Sequence, residues 1–159
     1  MKFIILGSGS SMGVPRPDGF FGNCDPKNPK NFRSRCSALI KYKNINVLID
    51  TSPDLRTQML RNKIKSLDIV MYTHHHADQT HGINDLRVFF LKRKKEIPVY
   101  TDKNTKKYLL DSFSYCFKGS REYPPLLKLF DIKKKFKIGK FINIETVKVR
   151  HGSINSVSY

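Results

Sequence analysis

A chain of 159 residues that is 39% hydrophobic and 27% charged has the balance of a soluble globular protein, and a single domain over residues 1–159 is expected. No run approaches the ~18 consecutive apolar residues of a membrane helix, and Met1–Leu6 lacks the long apolar stretch of a signal peptide. No membrane association and a cytoplasmic location are the expectation. The formal charge is +17, and it is uneven. Residues 91–159 carry 17 Lys and Arg against 6 Asp and Glu, whereas residues 1–90 carry 13 against 7. An A/T-rich coding bias accounts for the preference of Lys over Arg (21 against 9), but the charge attracts phosphate-rich partners whatever its origin. Cys24, Cys36 and Cys116 are widely spaced, with no Cys-x-x-Cys pair, which argues against a disulfide framework or a zinc ribbon.

Taken in chain order, Lys2–Leu6 reads as a buried strand leading into a Gly/Ser loop at Gly7–Gly13. Residues 14–35 have no apolar period and read as a long loop. Ser37–Tyr42 and Ile45–Asp50 form a predicted hairpin about Asn44. Ser52-Pro53-Asp54 predicts a helix start with Ser52 as the cap, followed by the stripe Leu55, Met59 and Leu60. Asp68–Tyr72 is a second buried strand. A helix is then expected through Leu86, Phe89 and Phe90, ending in the basic run Lys92–Lys95. Ile97–Tyr100 reads as a strand and Thr105–Phe117 as one helix. Leu126–Ile132, Phe136–Ile138 and the alternating stretch Phe141–Val149 are further strands. The class is mixed α/β.

The informative segment is Thr73-His74-His75-His76-Ala77-Asp78-Gln79-Thr80-His81-Gly82, which holds four of the five histidines. Imidazole and carboxylate are ligands for zinc and similar divalent ions. His74 and His76 sit two residues apart just past a buried strand, so in extended geometry they face the same side and His75 faces the other. Asp78 follows within reach. The loop at Gly7–Gly13 has G-x-G-x-x-x-G spacing with Pro15 and Pro17 behind it, which argues against a dinucleotide loop. Arg33 and Arg35 are candidates for gripping a phosphate.

His-x-His-x-Asp after a hydrophobic strand resembles the signature of the metallo-β-lactamase fold hydrolases. The segments LGSGSSMGVPRP (6–17), GNCDPKNPKNFRSRCS (22–37), VLIDTSPDLRTQML (47–60), THHHADQTHGINDLR (73–87) and IPVYTD (97–102) are similar to one branch. That branch holds the phosphoribosyl cyclic phosphodiesterase-like enzymes, kin to the tRNA 3′-processing endonuclease. The resemblance implies an αββα sandwich. It implies His74, His76 and His151 as ligands of a first metal, with Asp78 opening a second position and acting in catalysis. Zinc, as one or two ions, is the implied metal, with manganese as the other candidate. Asp50 is implied to orient a ligand histidine from beneath the site. The implied substrate is a phosphodiester, either a small molecule or a nucleic acid.

Two departures qualify this. Gln79 stands where the family has a metal-binding His, and an amide oxygen is the poorer zinc ligand. The family continues past the equivalent of Tyr159 with an Asp and a His for the metals. The sandwich is therefore expected to be incomplete, with activity impaired, and a complementary C-terminal chain or a homodimer is an expected partner. Two other readings stay open at this point: a non-catalytic remnant of a split or decayed gene, and a basic nucleic-acid-binding module.

Overall fold

The computed structural model describes residues 1–159. Its centre is a six-stranded sheet in sequence order: β1 (Lys2–Gly7), β2 (Ser37–Tyr42), β3 (Ile45–Ile49), β4 (Ile69–Met71), β5 (Ile97–Thr101) and β6 (Leu127–Asp131). The first three strands are antiparallel and the last four run parallel. β4 is apolar at every position and buried on both faces, as a central parallel strand must be. The predicted β2–β3 hairpin forms, with Lys43 at φ 51° in its turn.

One face of the sheet is covered by helices α1 (Leu55–Arg61), α3 (Arg87–Arg93), α4 (Lys103–Ser112) and α5 (Ser114–Lys118). Leu39, Leu48, Val70 and Val99 pack there against Leu55, Met59, Phe89 and Leu109. The opposite face carries Val47, Ile69 and Met71. It is covered by a hairpin of β7 (Lys135–Ile138) and β8 (Ile142–Glu145) through Ile138, Ile142 and Ile144. A second hairpin, β9 (Val147–His151) with β10 (Ile154–Ser158), lies over the carboxyl end of β4. The Val157 N–H donates to the Thr73 carbonyl at 2.8 Å, and the Tyr159 hydroxyl to the Tyr72 carbonyl at 2.7 Å. These residues supply one helical layer, the sheet and part of a facing β-layer, which is the αββα order without its last layer.

Four predicted elements differ in detail. The single strand expected over Phe141–Val149 breaks at Thr146, whose N–H and hydroxyl turn to the carbonyls of Lys134 and Lys133. The helix expected over Thr105–Phe117 is two helices kinked at Phe113, which has φ −132°. The helix expected after the histidines is three short pieces: α2 (Ala77–Thr80), a 3-10 turn at Ile83–Leu86, and α3. Helix α1 starts at Leu55 with Asp54 as its cap residue; Ser52 Oγ accepts from the Asp54 N–H at 3.1 Å and does not cap the helix itself.

Gly82 marks a tight approach between the α2 segment and the loop after β3. Its N–H donates to the Thr51 carbonyl at 2.9 Å, and a Cβ there would overlap the Ser52 carbonyl oxygen. Gly82→Ala therefore forces backbone apart next to the histidine segment. Its expected cost is about 1–3 kcal/mol, read as a lower urea midpoint at an unchanged slope.

Candidate metal centre

The parallel strands β3 and β4 end side by side, and the site is built from their tips. Asp50 follows β3 at φ 61° and is 5% exposed. Its N–H donates to the Met71 carbonyl at 2.9 Å. Its two carboxylate oxygens accept from the N–H and the hydroxyl of Thr73, each at 2.8 Å. Burial pushes the Asp50 carboxyl up to about 7, and the Thr73 bonds oppose that rise. Thr73 Oγ1 in turn lies 2.9 Å from His74 Nδ1. With Asp50 ionised, the Thr73 hydroxyl donates to the carboxylate and accepts the His74 Nδ1–H, which fixes the tautomer and leaves Nε2 as a free lone pair. Ser156 Oγ, on β10, stands 3.5 Å from the same Nδ1.

His74 Nε2 is 3.2 Å from His76 Nδ1. His151, brought in by β9 from 75 residues downstream, completes the cluster, with its ring centroid 4.7 Å from that of His74 and 5.2 Å from that of His76. One ligand atom from each of the three lies within 4.8 Å of the other two. His74 is buried, while His76 and His151 face solvent. Burial, and then the neighbouring His76 and His151, push the His74 imidazole down to about 4, so it is neutral near pH 7.

The other predicted groups are distributed unevenly around this cluster. His75 faces away, as its position in the strand requires, with its ring 5.4 Å from that of Tyr108. His81 is outside the cluster; its Nε2 is 3.1 Å from the Tyr108 hydroxyl. Asp78, in the first turn of α2, is not one of the three clustered groups, and its carboxylate accepts from Gln79 Nε2 at 2.9 Å. The Gln79 amide thus stands against a carboxylate, and its own Oε1 is buried without a partner. Arg35 is not free for phosphate, because it grips Asp54 through two nitrogens at 2.7 and 2.9 Å. Sequence reasoning passed over Thr73 and Ser156. A hydroxyl immediately before the first histidine at a strand end was a usable signal for Thr73; Ser156 had none.

Three imidazoles converge from two distant stretches. An N···N separation of about 3.3 Å is the edge of a tetrahedron of zinc–nitrogen bonds of ~2.0–2.1 Å, so the 3.2 Å between His74 and His76 suits a shared ion. Neutral His74, with Nδ1 held from behind, is the form that ligates metal. The donor set fits a divalent cation. Thr73→Val keeps the shape and removes the link between Asp50 and His74; metal affinity is expected to fall about 10–100-fold, measured by competition with a chromogenic chelator.

A sheet with helices on one face, and a three-histidine cluster at its carboxyl edge, are the layout of the metallo-β-lactamase fold. Residues 45–158 match the family model of the beta-lactamase superfamily domain, and the chain belongs to that family. It is similar to the crystal structure of a new diphosphatase from the PhnP family, at 31% identity and TM-score 0.83, over 98% of this chain and 59% of that one. It shares the fold of the zinc-bound PqqB from Methylobacterium extorquens, at 18% identity and TM-score 0.71, over 94% of this chain and 52% of that one. Among curated proteins it is 36% identical over 164 residues to an octanoyltransferase of Porphyromonas gingivalis, covering 100% of this chain and 32% of that protein. The chain thus spans about a third of that relative's length.

Proposed function

We propose that this chain is a metal-dependent hydrolase of phosphodiesters. His74, His76 and His151 would hold one divalent cation, zinc before manganese, and Asp78 beside them would open a second position. The observation that carries this reading is the convergence of three imidazoles with ligand atoms within 4.8 Å. The similarity to a diphosphatase at 31% identity supports phosphorus–oxygen chemistry. A divalent cation at such a site neutralises charge growing on a phosphoryl oxygen and acidifies water.

The remaining roles fall to the chain's own residues. Thr73, backed by Asp50, holds His74 in one tautomer. The Gln79 amide fixes the Asp78 carboxylate, which is the group proposed to take the proton from the attacking water. The +17 charge draws an anionic substrate towards the protein. In a zinc-loaded sample, turnover of a chromogenic phosphodiester is expected and should vanish in His76→Ala. A stoichiometrically loaded chain that cleaves no diester would overturn the reading and leave the metal site as a binding device.

A further inference from the structure

The outer surface of the helical layer carries an apolar groove of about 620 Å³ between α1 and α3. Each of these helices has more apolar residues than the sheet beneath can cover. In α1, Leu55 and Met59 are buried, and Leu60, the next residue round the helix, is 64% exposed. In α3, Phe89 is buried, while Val88 and Leu91, three apart on one ridge, are 49% and 47% exposed. Met59, Ile64 and Phe89 form the floor of the groove, and Leu60, Val88 and Leu91 its walls. Apolar side chains scattered singly are ordinary on a surface, but three gathered around one concavity mark a contact site.

The rim is cationic. Arg56, Lys65, Arg87 and Lys92 stand around the groove against one carboxylate, Asp85. Asp85 is already engaged, since its Oδ2 accepts the Arg56 backbone N–H at 3.0 Å. None of the four cations is in a salt bridge, whereas Arg35, Arg93 and Lys106 elsewhere are each paired with an aspartate. The Arg87 guanidinium lies over the Tyr123 ring, 4.5 Å from its centroid, and Lys92 Nζ reaches only the Lys65 carbonyl, at 3.4 Å. Positive charge thus surrounds the apolar floor with little counter-charge from the chain itself.

Shape and charge together select the occupant. Both walls are helices, whose backbone groups are bonded internally, so no strand edge is offered to an extended peptide. A third helix fits between two by setting a ridge of its side chains into their groove. Each wall helix has seven residues, about 10 Å of rise, which matches two turns of a partner. A second copy of this chain would bring like charge, a net +17, to the cationic rim. A flat bilayer would touch the walls and leave the recessed floor wet. We propose that the α1–α3 groove docks an acidic amphipathic helix of another protein. Its apolar residues at i, i+3, i+4 and i+7 sit among Leu60, Val88 and Leu91, and its flanking carboxylates meet the cations of the rim.

The test is a fluorescein-labelled synthetic helix, with leucines at i, i+3, i+4 and i+7 and glutamates elsewhere, titrated with the full 159-residue chain and read by anisotropy. Saturable binding is expected, and the same peptide with lysines in place of its glutamates should bind at least about tenfold more weakly. Leu91→Asp and Lys65→Glu, both at solvent-facing positions, should each weaken binding of the acidic peptide about tenfold. Lys133→Glu makes the same change of charge in the turn before β7 and should leave binding unchanged. No binding, equal binding of the two peptides, an unchanged affinity in Leu91→Asp, or equal losses in Lys133→Glu and Lys65→Glu would overturn the proposal. Adsorption to phosphatidylcholine–phosphatidylserine vesicles, or self-association in sedimentation, that takes the place of peptide binding and is lost in Leu91→Asp would overturn it as well.

Discussion

Zinc added to the metal-free chain is expected to raise its melting temperature, and His151→Ala to cut most of the rise. The cluster joins the tip of β4 to the β9–β10 hairpin. The β9–β10 hairpin is exposed along all of β9, and it is tied to the β4 tip by the Val157 and Tyr159 bonds. A cation shared by His151 with His74 and His76 clamps that hairpin down. At zinc ~1,000-fold above its dissociation constant, ligation stabilises the folded state by about 4 kcal/mol. For a domain of this size that corresponds to about 8–16 °C. His151→Ala removes the clamp, and His76→Ala halves what remains on the sheet side. His81→Ala should behave as the parent, since His81 bonds to Tyr108 outside the cluster. The scan is made with and without a chelator; equal shifts in the parent and His151→Ala would contradict the clamp.

The metal-free chain should have a flat stability profile between about pH 4.5 and 6, and Asp50→Asn should tilt it. Asp50 is raised to about 7 in the folded state, from an ordinary value of 3.8. Its contribution is present below the unfolded value and is lost as pH climbs through the folded one. His74 is lowered to about 4 from 6.5, so its contribution is present above 6.5 and is lost as pH falls through 4. Across the shared window the folded state holds one proton on the Asp50–Thr73–His74 chain, and the unfolded state also holds one, on the histidine. Equal proton counts give no slope. Asparagine retains the left-handed backbone that residue 50 needs and removes one of the two opposing groups. Stability should then rise by about 1.4 kcal/mol per pH unit across the window, as the histidine alone dictates. Urea midpoints at several pH values, taken with chelator present, measure it; a flat profile in Asp50→Asn would refute the assignment.

Much of this was legible in the residues. Period-two spacing past a buried strand put His74 and His76 on one side and His75 on the other, and the rings lie that way. His151 needed more than local pattern, because only the family resemblance linked a histidine 75 residues downstream to that pair. Asp50 was read as orienting a ligand histidine; its carboxylate reaches His74 only through the Thr73 hydroxyl, and a sequence carries no sign of that intermediate step. Arg35 looked like a phosphate ligand because its charge was visible and its partner was not; Asp54 lies 19 positions away and neutralises it. The alternation over Phe141–Val149 concealed a break at Thr146, since a strand that changes partner keeps its period. Gln79 was read as standing where the family has a metal-binding His, while its bond to the Asp78 carboxylate had no sign in the sequence.

Under the proposed function, imidazoles from two distant stretches share one cation. X-ray absorption on the zinc-loaded chain, with metal content measured on the same sample, tests it most directly. One zinc per chain is expected, with three imidazole nitrogens at ~2.0–2.1 Å, falling to two in His151→Ala. A chain that retains no zinc, or a zinc shell unchanged by the loss of His151, would contradict it.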